Sequence, residues 1–235
     1  MNSTLRETLT AGASAMGVSL DDVAVMRFSI YLALLQQWGR KINLTTRLEA
    51  EEAIVYHFLD SLAGAQVLAA CTQSRVVDLG TGAGFPALPL KFALPRLRVT
   101  LVESVRKKVA FCQEVVRATR SADVRVVWGR GERVGIDREH HQAFDWAVSR
   151  ALGPAADVAR LALPFLAPGG RILLYKGAPD AKELQEIDAF CRDHRAAADL
   201  RRVSVPGLKG ARCLITIGFP AVTRNSLVNC GASLP

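Results

Sequence analysis

The stretch VVDLGTGAGFPALPL, residues 76–90, joins a strand-like run to a helix-like run through three glycines at alternate positions. Glycine adopts positive φ angles and leaves the backbone open to close approach, so Gly80, Gly82 and Gly84 predict a tight turn that a ligand can reach. Asp78 ends the strand directly before this turn. In an open α/β sheet, ligands bind beyond the carboxyl ends of the strands. We therefore expect this turn to be part of a binding site.

Strand-like and helix-like segments alternate along most of the remaining chain. Alternating or β-branched apolar residues predict strands over residues 75–80, 97–104, 124–129, 143–150 and 171–177. Apolar residues at helical spacing predict helices over residues 87–94, 106–120, 154–166 and 181–193. Two last strands, 200–207 and 213–219, have no helix between them and are expected to form an antiparallel hairpin at a sheet edge. This order predicts an α/β protein with a mostly parallel sheet covered on both faces.

The first 70 residues show a different pattern, in which apolar residues recur at helical spacing. Over residues 21–41 these residues form one face of a helix, namely Val23, Met26, Ile30, Leu34 and Trp38. Residues 48–68 have the same character. We therefore expect an N-terminal helical region over residues 1–70 and a ligand-binding α/β domain over residues 71–220. Residues 221–235 have no periodic pattern and are predicted to be a loose tail.

Charge and cysteine content limit the partners and the compartment. The chain has 30 Lys and Arg against 22 Asp and Glu, a net charge of +8, which suits a polyanionic partner and suits solubility equally well. The five cysteines are scattered without a C-x-x-C pair, so the sequence predicts neither a metal site nor disulfides and is typical of the reducing cytoplasm. No apolar run approaches the ~18 residues of a membrane span, and no secretory signal is expected.

The spacing of the glycines shows which of the known nucleotide-binding motifs this turn can match. The dinucleotide fingerprint G-x-G-x-x-G requires glycine where this chain has Phe85, and no G-x-x-x-x-G-K-[ST] loop occurs. The remaining D-x-G-x-G-x-G resembles motif I of Rossmann-like methyltransferases that use S-adenosyl-L-methionine. Glu103 ends the next strand, where a carboxylate accepts hydrogen bonds from both hydroxyls of a ribose. A nicotinamide cofactor offers the same ribose, but the Y-x-x-x-K pair of short-chain dehydrogenases is absent.

Sequence motifs that are specific to particular methyl acceptors exclude some classes of methyltransferase and leave other classes possible. Amine methylases of nucleobases carry [ND]-P-P-[YF] after the fourth strand, where this chain has DWAVSR, and cytosine C5 methylases need a Pro-Cys pair, which is absent. A methyltransferase of small molecules or proteins remains an alternative. A non-catalytic RNA-binding module is disfavoured by the intact glycines and Glu103, and a nicotinamide oxidoreductase is disfavoured by Phe85.

Several longer stretches together resemble one family. These are NLTTRLEAEEAIVYHFLDSL, VVDLGTGAGFPALPLKFALP, LVESVRKKVAFCQEV, SRAL and LYKG, in register over roughly residues 20–220. They resemble the RsmG (GidB) family, bacterial methyltransferases that act on guanine N7 in 16S ribosomal RNA, at guanine 527. The resemblance implies a seven-stranded Rossmann-like methyltransferase sheet with a small N-terminal helical region. It also implies S-adenosyl-L-methionine as cofactor, 16S rRNA in the small ribosomal subunit as partner, a cytoplasmic location and a monomer.

The resemblance also implies roles for individual residues. Cofactor-contacting positions of the family match Gly80, Phe85, Gly131, Glu132 and Arg150, and Gly82, Gly84 and Glu103 join them on the physical argument above. Polar positions around the mouth of the pocket match Asn43, His57, Asp60, Lys176 and Arg212. Near the C-terminus the family tends to have G-E-R-H where this chain has GARC. Arg212 is kept, but Ala211 and Cys213 replace a carboxylate and an imidazole.

Structural alternatives exist for the polar candidates. His57 either lines the pocket or forms a hydrogen bond with Asp60 one helical turn away. Asn43 either contacts substrate or caps a turn after Gly39, and Asp60 equally suits the N-cap of the following segment. Lys176 either contacts a phosphate or base or is solvated. Because guanine N7 has a lone pair and no proton, we expect no side chain to act as a catalytic acid or base.

Overall fold

A computed structural model of the protein describes residues 1–69 and 73–220. The N-terminal region is helical, as the sequence predicts. Its elements are α1 (Ser3–Ala15), α2 (Asp22–Gly39), α3 (Ala50–Ala53), a π-helical segment (Ile54–Leu59), α4 (Asp60–Leu62) and α5 (Ala65–Ala69). The Asp21 side chain caps α2 by accepting a hydrogen bond from the Ala24 amide at 2.7 Å, which explains why the helix begins there.

Seven strands of the described residues form one sheet, which confirms the predicted α/β class. They are β1 (Arg75–Leu79), β2 (Arg98–Glu103), β3 (Val124–Trp128), β4 (Phe144–Arg150), β5 (Leu166–Lys176), β6 (Ala197–Val203) and β7 (Arg212–Gly218). Their order is β3-β2-β1-β4-β5-β7-β6. Strands β1 to β5 pair in parallel, while β7 pairs antiparallel with both β5 and β6. The predicted hairpin at the sheet edge is therefore confirmed, and the strand order reverses between β1 and β4, where such sheets bind ligands.

Helices cover both faces of this sheet. They are α6 (Ala87–Ala93), α7 (Arg106–Ala118), α8 (Gly131–Val134), α9 (Ala155–Ala162), a short 3-10 helix (Leu163–Phe165) and α10 (Ala181–Asp193). Neighbouring strand residues point to opposite faces, so Val76 packs with the N-terminal helices, α6 and α7, while Val77 packs with α9 and α10. The N-terminal helices thus share one hydrophobic core with the sheet, which fixes their position relative to the carboxyl ends of the strands.

Two strands begin earlier than the sequence predicts. β5 begins at Leu166 and β6 at Ala197, because pairing with neighbouring strands extends them through segments that have no apolar alternation. In β5 the extension crosses the Pro-Gly-Gly at 168–170, which the sequence pattern marks as a turn. No helix within the described ranges is long and apolar enough to cross a membrane. The predicted tail, residues 221–235, lies outside the described residues, and so does the predicted domain boundary at residues 70 and 71.

Candidate functional site

A cavity of about 510 Å³ opens at the carboxyl ends of β1, β4 and β5, where the strand order predicts a ligand site. The N-terminal helical region closes one side of it, and the glycine turn after β1 closes the other. Its lining comprises residues 44–47, Tyr56, His57, Asp60, 80–83, Phe85, Lys108, Arg150, Ala151, 175–177 and Arg212. The cavity therefore contains many of the residues that the sequence singles out, together with several that it does not.

The glycine turn has the conformation that the sequence predicts. Gly80, Gly82 and Gly84 have φ angles of +66°, +61° and +97°. A Cβ on Gly82 would have only the Gly80 carbonyl oxygen nearby, at 4.0 Å, and would otherwise occupy the cavity. A Cβ on Gly84 would collide with the Leu88 side chain. Gly82 therefore leaves room for a ligand, whereas Gly84 lies behind the turn and allows it to pack on α6.

Carboxylates on two adjacent strands hold the turn in place. Asp78 Oδ2 accepts hydrogen bonds from Thr81 Oγ1 at 2.7 Å and from the Ala87 amide at 3.1 Å. Burial outweighs these bonds and raises the pKa of Asp78 to about 8. Glu103, at the end of β2, accepts from the Gly82 amide at 2.9 Å through Oε2 and from the Val105 amide at 2.8 Å through Oε1. The predicted placement of Glu103 beside the glycine turn is confirmed.

Glu103 lies between the first cavity and a second one of about 730 Å³. Its partner Gly82 lines the first cavity, and its partner Val105 lines the second. The second cavity is otherwise lined by Ser104, 127–130, Arg133, Val134 and Asp137. Gly131 and Glu132 begin α8 beside this second cavity, and the Glu132 side chain is exposed. The predicted cofactor residues therefore follow the sheet edge from β4, which ends at Arg150, to β3 and do not meet in one pocket.

Asp60 forms a buried ionic cluster at the wall of the first cavity. Its side chain is 1% exposed, and Oδ2 lies 2.8 Å from Arg150 Nη1 while Oδ1 lies 2.6 Å from Arg212 Nε. Arg150 Nη1 also donates to the Tyr56 carbonyl oxygen at 3.1 Å. Asp60 has helical dihedral angles within a continuous helical stretch, so the alternative of an N-cap is wrong. One carboxylate instead orients two arginines on β4 and β7.

His57 lies on the π-helical segment and faces the glycine turn. Its ring stacks on Phe85 with 4.8 Å between centroids, and its Nε2 lies 2.8 Å from Thr45 Oγ1. Arg150 Nη2 lies 3.5 Å from Nδ1. Burial, and then the charge of Arg150, lower the pKa of His57 to about 4. The alternative in which His57 forms a hydrogen bond with Asp60 is wrong, because the ring forms its hydrogen bond with Thr45.

The remaining candidates occupy different settings. Lys176 lines the cavity, but its Nζ lies 2.6 Å from Glu183 and donates to the Gly153 carbonyl oxygen at 2.9 Å, so it is not a solvated lysine. Asn43 is exposed and lies outside the cavity lining, where Thr45 and Arg47 are present instead. Within the described residues the Asn43 side chain forms no hydrogen bond that would cap the preceding turn, and that alternative stays a prediction.

Thr45 is a residue of the lining that sequence reasoning missed, and Lys108 is one that the sequence marks only as part of a cationic run. Thr45 follows Asn43 by two residues in the motif N-L-T-T, and this motif is the signal that points to it. Lys108 belongs to the cationic run that opens α7, where cations face an unfavourable helix dipole. Its position in the cavity wall explains that placement, and Arg106 from the same run stacks over Trp128 at 4.0 Å.

Comparison with known proteins now decides the family. The sequence model described as rRNA small subunit methyltransferase G (GidB) matches residues 25–212. The chain belongs to this family. Ribosomal RNA small subunit methyltransferase G of Roseiflexus castenholzii is 39% identical over 206 residues, 87% of each chain. The protein of the same name in Alkaliphilus oremlandii is 35% identical over 184 residues, 78% of this chain and 77% of that one. The predicted RsmG (GidB) resemblance is confirmed.

Solved structures agree on the fold of this RsmG (GidB) family member. An O-methyltransferase from Bacillus cereus in complex with SAH has a TM-score of 0.57 at 18% identity, over 80% of this chain and 90% of that one. Fibrillarin from Aeropyrum pernix with natively bound S-adenosyl-L-methionine has a TM-score of 0.53 at 21% identity, over 68% and 76%. These structures show the Rossmann-like fold alone, and membership of the family makes the chain a methyltransferase that uses S-adenosyl-L-methionine.

The residues present fit this cofactor. Gly82 exposes a backbone that a Cβ would cover, which allows a ligand to lie against the turn. The Glu103 carboxylate, 6% exposed, stands at the adjacent strand end where a ribose is bound in such sheets. Asp78 Oδ1 is fully buried and has no hydrogen-bond partner among the described residues. The turn thus has free space, and Glu103 beside it has carboxylate oxygens that can accept from the hydroxyl donors of a ligand.

Proposed function

We propose that the protein transfers the methyl group of S-adenosyl-L-methionine to N7 of one guanine in 16S ribosomal RNA of the small subunit, at guanine 527 by family resemblance. The observation that carries this proposal is a single cavity that joins the open glycine turn to a wall of oriented cations. Gly82 belongs to the glycine turn, and the cations of the wall are Arg150, Arg212 and Lys108. A methyl donor at the turn and a nucleotide acceptor at the wall would therefore bind next to each other in this cavity.

The glycine turn and its carboxylates are proposed to hold the cofactor, which supplies an electrophilic methyl group on a positively charged sulfur. Gly80 and Gly82 offer backbone next to the cavity, and Glu103 offers carboxylate oxygens for the ribose hydroxyls. Gly131 and Glu132, beside the second cavity, are proposed to flank the adenine. Gly84 supports this site from behind, while Phe85 lines the cavity and is held in place by stacking on His57 and Tyr31.

The acceptor chemistry requires positioning more than proton transfer. Guanine N7 attacks through a lone pair in the plane of the ring and loses no proton, so the protein gains rate by aligning the base and excluding water. Asp60 is bound to two arginines and the His57 ring is neutral at physiological pH. Both side chains thus support the proposal as orienting groups, in agreement with the expectation that neither acts as an acid or base.

The cations of the wall are proposed to contact the RNA backbone. Arg150 donates a hydrogen bond to Asp60 and Arg212 forms an ion pair with it, and planar guanidinium groups held in this way suit phosphate oxygens. Lys108 and Arg47 extend the positive wall towards the mouth of the cavity. The partner proposed for this surface is the small ribosomal subunit or its 16S rRNA, bound by a monomer of this chain in the cytoplasm.

Mapping of N7-methylguanosine in ribosomal RNA tests the proposal. Cells that lack the protein should lose one N7-methylguanosine from 16S rRNA, and expression of the wild-type chain should restore it. A Glu103→Ala variant should fail to restore it, while its folding is checked by circular dichroism. Purified protein with methyl-labelled cofactor is then given small subunits, naked 16S rRNA or a metabolite extract. Methyl incorporation into metabolites alone would contradict the proposal and favour the small-molecule alternative.

A further inference from the structure

We propose that the Thr45 hydroxyl donates a hydrogen bond to O6 of the target guanine and thereby selects guanine against adenine. This inference rests on the proposed function, because O6 lies beside N7 on the same edge of the base. Thr45 lies in the segment between α2 and α3 and lines the first cavity. Its hydroxyl is a neutral group, unlike the cations around it, and its surroundings fix the direction in which it can donate.

The first step of the argument is the protonation of His57. A guanidinium group has donors and no acceptor, so the His57 Nδ1 that faces Arg150 Nη2 at 3.5 Å is the nitrogen without a proton. The neutral ring then carries its proton on Nε2. Since Nε2 lies 2.8 Å from Thr45 Oγ1, the ring donates to the hydroxyl. The stacking of His57 on Phe85 holds the ring in this orientation.

The second step is the state of the Thr45 oxygen. Oγ1 also accepts a hydrogen bond from the Arg47 amide at 3.3 Å. A hydroxyl has two acceptor positions and one hydrogen, and the two incoming bonds occupy both acceptor positions. Its hydrogen is therefore left to point in the one remaining direction, and it has no acceptor among the residues the structure describes. A threonine hydroxyl can usually either donate or accept a further hydrogen bond, but the Thr45 hydroxyl can only donate one.

The third step is the difference between the two purines. Beside N7, guanine presents the O6 acceptor and adenine presents the N6 amino donor. A hydroxyl that can only donate pairs with O6, whereas it would face N6 donor to donor and leave both groups unpaired. The arginines and Lys108 attract a phosphate whichever base follows it. A donor whose direction is fixed can discriminate between the purines, and Thr45 supplies such a donor at the cavity wall.

A pairing of enzyme variants with base analogues tests this inference. Small subunits are reassembled on 16S rRNA that carries either guanine or 2-aminopurine, which keeps N7 but lacks O6, at the methylated position. For wild type, Thr45→Val and Thr45→Ser, kcat/KM is measured on both substrates. We expect Thr45→Val to reduce the preference for guanine about tenfold, the contribution of one hydrogen bond, and to leave the rate on 2-aminopurine nearly unchanged. Thr45→Ser, which keeps the hydroxyl, should retain the wild-type preference.

Controls separate recognition from folding and from the proposed function. Thr8→Val is the matched control, since Thr8 lies on α1 outside the cavity and its Oγ1 donates to the Thr4 carbonyl oxygen. Thermal unfolding and cofactor affinity are measured for every variant. An equal loss on both substrates in Thr45→Val, or a Thr45→Ser that behaves like Thr45→Val, would overturn the inference. If the wild type forms no N7-methylguanosine on the guanine substrate, the proposed function fails first, and the inference fails with it.

Discussion

The Asp60 carboxylate lies 2.8 Å from the Arg150 guanidinium, and this ion pair joins the N-terminal helices to the sheet at the cavity wall. The Asp60 side chain is 1% exposed and that of Arg150 is 13% exposed. A charge buried to this degree is stable only while its partner is present. The pair therefore couples the stability of the fold to the orientation of the cavity.

Replacement of Asp60 by Asn should lower the free energy of unfolding by about 3 kcal/mol, because Arg150 would stay buried without a counter-charge. Urea denaturation of both proteins measures the change. Asp22→Asn is the matched control: Asp22 pairs with Arg6 but is 91% exposed, and loss of an exposed pair costs less than about 1 kcal/mol. Similar losses in the two variants would show that burial of Asp60 contributes nothing.

Replacement of Gly82 by Ala should weaken binding of S-adenosyl-L-methionine at least tenfold, because the new Cβ enters the cavity beside the turn. The cost to folding should be about 1 kcal/mol, since φ is +61° and no side chain is displaced. Isothermal titration calorimetry measures the affinity. Gly210→Ala imposes a similar backbone strain at φ +101°, with nothing within 4 Å and outside the cavity lining, and should bind the cofactor normally.

The His57 ring should stay neutral over the physiological range, because burial and Arg150 lower its pKa to about 4. Its contribution to stability is complete above the unfolded pKa of about 6.5, falls progressively as pH drops below that value, and is gone once pH has fallen through about 4. A plot of kcat against pH should therefore have no limb near 6.5 that His57→Gln removes. The variant should lower kcat by a constant factor, roughly tenfold, through loss of positioning. His141, whose Nδ1 lies 3.0 Å from the Gly135 carbonyl oxygen, is outside the lining of the first cavity and serves as the control. A limb present in the wild type, kept in His141→Gln and lost in His57→Gln, would identify His57 as a proton-transfer group.

Stability should fall with rising pH through Asp78. Its pKa is raised to about 8 by burial, so the folded state binds the proton more tightly than the unfolded chain, whose carboxyl has a pKa of about 3.9. The contribution is complete below that lower value and is lost as pH rises through 8. Relative to Asp78→Asn, which mimics the protonated form, the wild type should lose up to about 1.4 kcal/mol per pH unit. Urea titrations at several pH values check this, and parallel curves would mean that Asp78 is ionised in the folded protein.

Local patterns in the sequence predict the parts of this fold that depend on nearby residues. Strand and helix periods follow from which face is buried, and positive φ angles follow from glycine, so the glycine turn is correctly placed. The pairing of β1 with the next strand also depends on residues that are close in the chain. β1 and β2 are consecutive and pair in parallel, which brings Glu103 to the Gly82 amide without information from elsewhere in the chain.

The sequence by itself thus determined the sheet, the glycine turn and the carboxylate beside it. Only the tertiary structure decided which polar side chains meet across the cavity. Asp60 and Arg150 are 90 residues apart in the chain, and Thr45 lies 2.8 Å from His57, which belongs to the π-helical segment. These contacts depend on how the N-terminal helices pack against the ends of β4 and β7. That packing is a sum of long-range contacts, and no short stretch of sequence encodes it.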